Sequence, residues 1–98
     1  MTDVVVIGGG VVGTSAAWYL VKKGLKPLLL EKGRIAGEQS SRNWGFVRQQ
    51  GRDPFEVPLM IECNRMWQGL EKELNADLGW RMGGNLKIAN NPTTMGKY

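Results

Sequence analysis

The sequence predicts an α/β fold that opens on a strand–turn–helix–strand unit, and three observations predict it. Val4-Val5-Val6-Ile7 is a short run without a polar side chain, the pattern of a strand buried on both faces. It runs directly into Gly8-Gly9-Gly10-Val11-Val12-Gly13, after which apolar residues recur at helical spacing. Leu28-Leu29-Leu30 is a second apolar run, and it ends at a carboxylate, Glu31. Strand, glycine turn, helix, strand and acid together make the layout of a Rossmann-type dinucleotide-binding βαβ unit.

Each element has a physical reason. Gly8 permits the tight turn out of the first strand, and Gly10 removes a Cβ where a pyrophosphate approaches the backbone. Gly13 lets the following helix lie close to the strand. That helix spans residues 11–23, with Val12, Ala16, Ala17, Leu20 and Val21 as its apolar stripe. Its first N–H groups and the positive end of its dipole face the phosphates. Lys22 and Lys23 suit its negative end, and Gly24 closes it as a C-cap. Pro27 opens the second strand, where a missing N–H forfeits little. Glu31 follows Gly8 by 23 positions, near the spacing of about 20 expected of the acid that binds a ribose. A carboxylate there disfavours a 2′-phosphate, which leaves FAD or NAD ahead of NADP.

Residues 32–50 show no clean period and read as an ordered, functional loop holding at most a short helical turn. Regular structure restarts at Asp53-Pro54, an N-cap and a first helical residue. Leu59, Cys63, Met66, Trp67, Leu70 and Leu74 then mark an amphipathic helix to about Ala76. Asp77-Leu78-Gly79 is a turn, and residues 80–82 and 85–89 read as two short strands of a hairpin around Gly83-Gly84. Asn90-Asn91-Pro92-Thr93-Thr94 is the cap of a further helix, with Thr93 or Thr94 its first residue. Two parallel strands do not complete a sheet of this kind, and the last helix has a single turn before Tyr98. The expectation is an N-terminal piece whose remaining strands come from a companion chain or are cut away.

Composition excludes several classes. Hydrophobic residues make up 42% of the 98, well above a disordered chain. The net charge of +4 reflects 13 basic against 9 acidic residues, and the excess is local, in Arg34, Arg42, Arg48 and Arg52. A basic segment beside a dinucleotide site suits an anionic cofactor or carboxylate substrate, and no nucleic-acid-binding pattern accompanies it. Cys63 has no partner for an internal disulfide and fits a core position. No basic leader or apolar run of about 20 residues occurs, so no transmembrane segment is expected. The expected compartment is the cytoplasm, with peripheral inner-membrane association left open. With no histidine and a single cysteine in the chain, a zinc site and a His-based catalytic dyad are both excluded, and no metal site is expected.

The run from Val4 to Glu31, followed by Gly37, Ser40-Ser41-Arg42-Asn43-Trp44-Gly45 and Arg48, resembles the FAD-dependent amino-acid and amine oxidoreductases of the D-amino-acid oxidase type. Glycine and sarcosine oxidases belong to that family. Residues 41–54 are most similar to its bacterial dehydrogenase-type members, such as the flavin subunits of opine oxidases. The resemblance covers essentially the whole chain, though family members are several times longer. It implies that Gly8, Gly10, Val11, Val12 and Gly13 wrap an FAD pyrophosphate, and that Glu31 and Lys32 take the adenosine ribose and its surroundings. Ser40, Ser41, Arg42, Asn43, Trp44, Gly45 and Phe46 would pass along the pyrophosphate and ribityl chain. Arg48 would place a cation near the flavin ring, where it stabilises anionic reduced flavin. Sarcosine-oxidase-like members carry histidine in this loop, and some members hold flavin covalently. This loop has neither His nor Cys, so the FAD is expected to be non-covalent.

The resulting expectation is an incomplete FAD-binding βαβ unit over residues 1–98, with an added helix and a short hairpin. Residues from about 77 to 98 would lead toward a missing substrate domain. The implied activity is oxidation of the C–N bond of an amino acid, imino acid or opine, with hydride passing to flavin N5. No catalytic residue is expected within the chain. Partners would be the remainder of the flavoenzyme, as a hetero-oligomer, and a small amino-acid or amine substrate. An NAD-dependent dehydrogenase would use the same βαβ unit, but would continue into a third βα unit where this chain has a polar Ser/Arg/Asn loop. The third reading is a non-catalytic fragment, inactive without its companion.

Overall fold

A computed structural model of the protein describes residues 1–96. The elements are β1 (Val4–Ile7), α1 (Val11–Lys22), β2 (Pro27–Leu30), α2 (Gln39–Arg42), α3 (Val57–Leu74) and α4 (Pro92–Met95). They fall into two compact units, Met1–Gly45 and Phe46–Tyr98.

In the first unit β1 and β2 pair in parallel, with Val4 opposite Pro27 and Ile7 opposite Leu30. The ladder is closed at one end by Asp3, whose N–H donates to Lys26 O and whose Oδ2 accepts from Lys26 N. It is extended at the other by Gly8 N donating to Leu30 O at 2.8 Å. Gly8 adopts a φ of +102°, which an L side chain resists, and turns the chain out of the strand into α1. A Cβ on Gly13 would overlap the carbonyl oxygen of Gly8 and lie 3.5 Å from Val6 Cγ1. Helix and strand therefore touch backbone to backbone. Leu25 N donates to Leu20 O past Gly24, at φ +82°, so this glycine ends α1 as expected.

Only one face of the sheet is covered. Val4, Val6, Pro27 and Leu29 are half-buried, whereas Val5, Ile7, Leu28 and Leu30 are 53%, 86%, 46% and 48% exposed. The strands read as buried on both faces, but two strands and one helix can cover just one of them. The expected α1 stripe shifts for the same reason. Gly13, Ala17 and Leu20 are half-buried, while Val12 and Val21 are exposed.

In the second unit the long helix begins at Val57, later than the expected start at Asp53-Pro54. Asp53 instead organises a turn: its Oδ1 accepts from Phe55 N, and its carbonyl from Glu56 N. The half-buried side of α3 includes Val57, Met60, Cys63, Trp67 and Leu70, with Leu59 exposed. Asn75, at φ 50°, ends it in the left-handed conformation. The Asp77–Gly79 turn forms through Gly79 N donating to Asp77 Oδ1. The Trp80 ring sits 6.2 Å from that of Trp67.

No strand forms over residues 80–89, so the expected hairpin is corrected. Its alternating apolar residues Met82, Leu86 and Ile88 are all exposed. An isolated two-stranded hairpin is marginal without a surface to pack on. α4 starts at Pro92 rather than at a threonine, with Asn91 as its N-cap: Asn91 Oδ1 accepts from Thr94 N at 2.8 Å.

Gly13→Ala tests the contact between α1 and β1. Alanine is worth up to about 1 kcal/mol in an exposed helix interior, but the overlap with Gly8 O outweighs this. Net destabilisation of roughly 1–3 kcal/mol is expected as a lowered thermal midpoint. An unchanged or raised midpoint would show that the helix does not pack this closely.

Candidate functional site

The parallel register decides what meets at the carboxyl ends of the strands. Because Ile7 lies opposite Leu30, the residues that follow, Gly8 to Gly10 and Glu31, emerge side by side. Glu31 Oε2 accepts from Gly9 N at 2.8 Å, and Oε1 accepts from Gly33 N at 2.7 Å. Ala36 N donates in turn to Gly9 O at 2.9 Å. Gly9 is thus bonded on both sides by the segment after β2, and it alone among the described residues is buried rather than half-buried or exposed. A Cβ on it would lie 2.5 Å from Ile35 Cδ1 and 3.2 Å from Glu31 Cβ. The middle glycine therefore allows the two loops to approach each other.

The start of α1 lies next to this clamp. Gly10 is extended (φ −78°, ψ −179°), and the helix receives no cap from its own N-cap side chain. Ser40 supplies an acceptor from α2: Val11 N donates to its Oγ at 2.8 Å. A Cβ on Gly10 would come within 3.1 Å of that same oxygen. The first intrahelical bond is Thr14 N to Gly10 O, so the N–H groups of Val12 and Gly13 have no acceptor within the helix. After Ser40 the chain is held by local bonds. Ser41 Oγ donates to Glu38 O, Asn43 Nδ2 to Ser40 O, and Gly45 N to Asn43 Oδ1. Arg42 pairs with Glu38 at 3.2 Å, and the Trp44 side chain stands exposed.

The structure therefore brings Gly8, Gly10, Val11, Val12, Gly13, Glu31 and Ser40 to one end of the β1–α1–β2 unit, with Lys32 exposed beside Glu31. Ser41, Arg42, Asn43, Trp44 and Gly45 follow in the same unit. Phe46 and Arg48 belong to the second, where the Arg48 guanidinium carbon sits 5.8 Å from the Phe46 ring centroid. Three residues outside the expected set prove structural to the site: Gly9, Gly33 and Ala36. The glycine filling the middle of Gly8-Gly9-Gly10 was the available signal for the first.

Chemically, the site presents N–H donors at a helix N-terminus beside a carboxylate. The two N–H donors, Gly9 first and Gly33 second, hold the Glu31 carboxyl below the ordinary glutamate value. Each carboxylate oxygen keeps a lone pair for a further donor such as a hydroxyl. Free N–H donors at a helix N-terminus suit an anion, and a carboxylate suits hydroxyl donors. Among the described residues no cluster of three His, Cys, Asp or Glu could hold a metal ion. No described helix is long and apolar enough to cross a membrane.

Comparison with known proteins identifies the family of the chain. A family described as FAD dependent oxidoreductase matches residues 3–98. One of the opine oxidase subunits of Agrobacterium tumefaciens is 42% identical over 84 residues, covering 83% of this chain and 23% of the relative. Glycine oxidase of Bacillus subtilis is 33% identical over 95 residues, covering 89% of this chain and 26% of the enzyme. Among solved structures, an L-amino acid deaminase from Proteus vulgaris aligns with a TM-score of 0.92 and 30% identity. That alignment covers 99% of this chain and 25% of the deaminase chain. The chain thus spans about a quarter of each of these relatives.

The clamp has a pH signature. Since folding depresses the Glu31 pKa, its contribution is present above the unfolded glutamate pKa and is lost as pH falls through the lower folded value. The amide resonances of Gly9 and Gly33 are expected to titrate together, with a midpoint below the ordinary glutamate range. Glu31→Gln should abolish that titration. A midpoint at or above the ordinary range would contradict the clamp.

Proposed function

The chain belongs to the FAD dependent oxidoreductase family, and on that premise we propose that it is the FAD-binding part of an enzyme oxidising the C–N bond of an amino acid, imino acid or opine. The observation that carries this reading is the pairing of a donor-rich helix N-terminus with the Glu31 carboxylate at the mouth of the βαβ unit. In it, Gly8, Gly10, Val11, Val12 and Gly13 surround the pyrophosphate, whose charge the α1 dipole and N–H groups favour. Glu31 accepts from the adenosine ribose hydroxyls with the lone pairs left over from Gly9 and Gly33, and Lys32 lies alongside. The segment from Ser40 to Phe46 follows the pyrophosphate and ribityl chain. Its lack of His and Cys supports a non-covalent flavin.

Bound FAD supplies the hydride acceptor, and this chain's residues supply binding and orientation. The names of the relatives, which include a glycine oxidase, opine oxidase subunits and an L-amino acid deaminase, support the substrate class. The bare sheet face of Val5, Ile7, Leu28 and Leu30 supports a companion polypeptide that covers it, since a parallel sheet is stable with both faces covered. The description of the opine oxidase relative as a subunit fits a hetero-oligomer.

Purified protein should show flavin absorption bands, and acid precipitation should leave all of the flavin in the supernatant. Flavin remaining with the pellet would overturn non-covalent binding. Gly10→Ala, which places a methyl between the loop and the pyrophosphate, should weaken FAD binding about tenfold or more, roughly 1.4 kcal/mol, by flavin fluorescence titration. Anaerobic addition of amino acids, imino acids and opines should bleach the flavin of the loaded protein. Loaded protein inert to all three would overturn the proposed substrate class.

A further inference from the structure

Thr14 stands in the first turn of α1, and its hydroxyl turns back on the helix start. Oγ1 donates to Gly10 O at 2.9 Å, with Val11 O farther off at 3.3 Å. The Gly10 carbonyl also accepts from Thr14 N at 2.9 Å. One half-buried residue therefore places two donors on a single carbonyl. A threonine hydroxyl bonded to the carbonyl four residues back is a common way to satisfy a polar group within a helix. Here that carbonyl belongs to the residue ahead of the helix, which gives the bond a further consequence.

The Gly10 carbonyl and the Val11 N–H are the two ends of one planar trans peptide and point in opposite directions. Drawing the oxygen toward Thr14 aims the N–H out of the helix N-terminus. A glycine leaves this plane freer to rotate than another residue would, and Gly10 has no side chain with which to hold it. The other end of the plane is met from α2, where Ser40 Oγ accepts from Val11 N at 2.8 Å. A hydroxyl that accepts a hydrogen bond still has a proton to donate. The donors thus run in one direction, from the Thr14 hydroxyl through the Gly10–Val11 peptide to the Ser40 hydroxyl, and each bond polarises the next.

We propose that Thr14 is a positioning residue for the anion site at the α1 N-terminus. Through the Gly10–Val11 peptide it fixes the direction of the Val11 N–H, and with it the Ser40 hydroxyl, whose proton is then aimed at a phosphate oxygen. Thr14 does not itself meet the ligand. The inference rests on the cofactor reading for what the site holds, and adds a residue that acts from behind the glycine turn to set how firmly a diphosphate is gripped.

The test compares the wild-type chain with Thr14→Val, which keeps the branched Cβ and loses the hydroxyl, and Thr14→Ser, which keeps the hydroxyl. Without ligand, the Val11 amide should exchange with solvent severalfold faster in Thr14→Val. The Gly9 and Gly33 amides, which report on the Glu31 carboxylate, should keep their wild-type exchange. By calorimetry, ADP should bind Thr14→Val about three- to tenfold more weakly, in line with losing a neutral hydrogen bond, and Thr14→Ser with wild-type affinity. Wild-type exchange at Val11 or wild-type ADP affinity in Thr14→Val would overturn the positioning role. Equal weakening in both variants, or faster exchange at Gly9 and Gly33 as well, would overturn it too, as general loosening of the helix. A wild-type chain that binds no ADP would overturn the cofactor reading and this role with it, whereas the Val11 exchange, read without ligand, reports on the peptide alone.

Discussion

The hydrogen bond from Gly9 N to Glu31 Oε2 joins two points 22 residues apart and fixes the working end of the βαβ unit. It exists because the parallel register delivers the glycine turn and the carboxylate to the same edge. It can be this short because Gly9 has no side chain to keep Ile35 and Glu31 away. The same carboxylate also gathers in Gly33, and Ala36 returns to the Gly9 carbonyl. One ionised group thereby shapes both loops around the helix N-terminus before any ligand arrives. Preorganisation of this kind would remove part of the ordering cost of the proposed cofactor binding.

A second constraint is the thinness of the first unit. One helix covers one sheet face by meeting β1 at Gly13 and Gly8, and the opposite face keeps Val5, Ile7, Leu28 and Leu30 in contact with water. Strands of this composition are made for burial on both sides. The unit is therefore tightly packed where glycines permit close approach, and its opposite sheet face stays apolar and exposed. Ser40 binds α2 to the start of α1 through Val11 N, so the loop after β2 is tied into the site at both Gly9 and Val11.

The parts legible in the sequence were those fixed by local chemistry. The apolar runs, the glycine turn, the Gly24 cap and the Glu31 spacing all mark elements that form as expected, because short-range sterics and ladder register determine them. The family resemblance rested on these residues together with Gly37, the loop over residues 40–45 and Arg48, and the matched family bears it out. What the sequence hid were features set by other segments. Glu31 spends its lone pairs on Gly9 and Gly33 as well as offering them outward, and no spacing rule announces that. Asp53 looked like a helix cap but closes a turn ahead of Val57. Residues 80–89 carry strand-like alternation yet form no ladder, since strand formation depends on a neighbour that alternation alone does not supply.

The most direct measurement is the binding of ADP to this chain compared with binding of its 2′-phosphorylated analogue, followed by calorimetry and by the Gly9, Val11 and Val12 amide resonances. ADP carries the pyrophosphate and ribose that the proposed cofactor site would hold, and the analogue adds a negative charge that would lie opposite Glu31. The account predicts that ADP binds and shifts those three amides, and that the analogue binds about tenfold or more weakly. Equal or tighter binding of the analogue, or ADP binding that leaves the three amides unmoved, would contradict it.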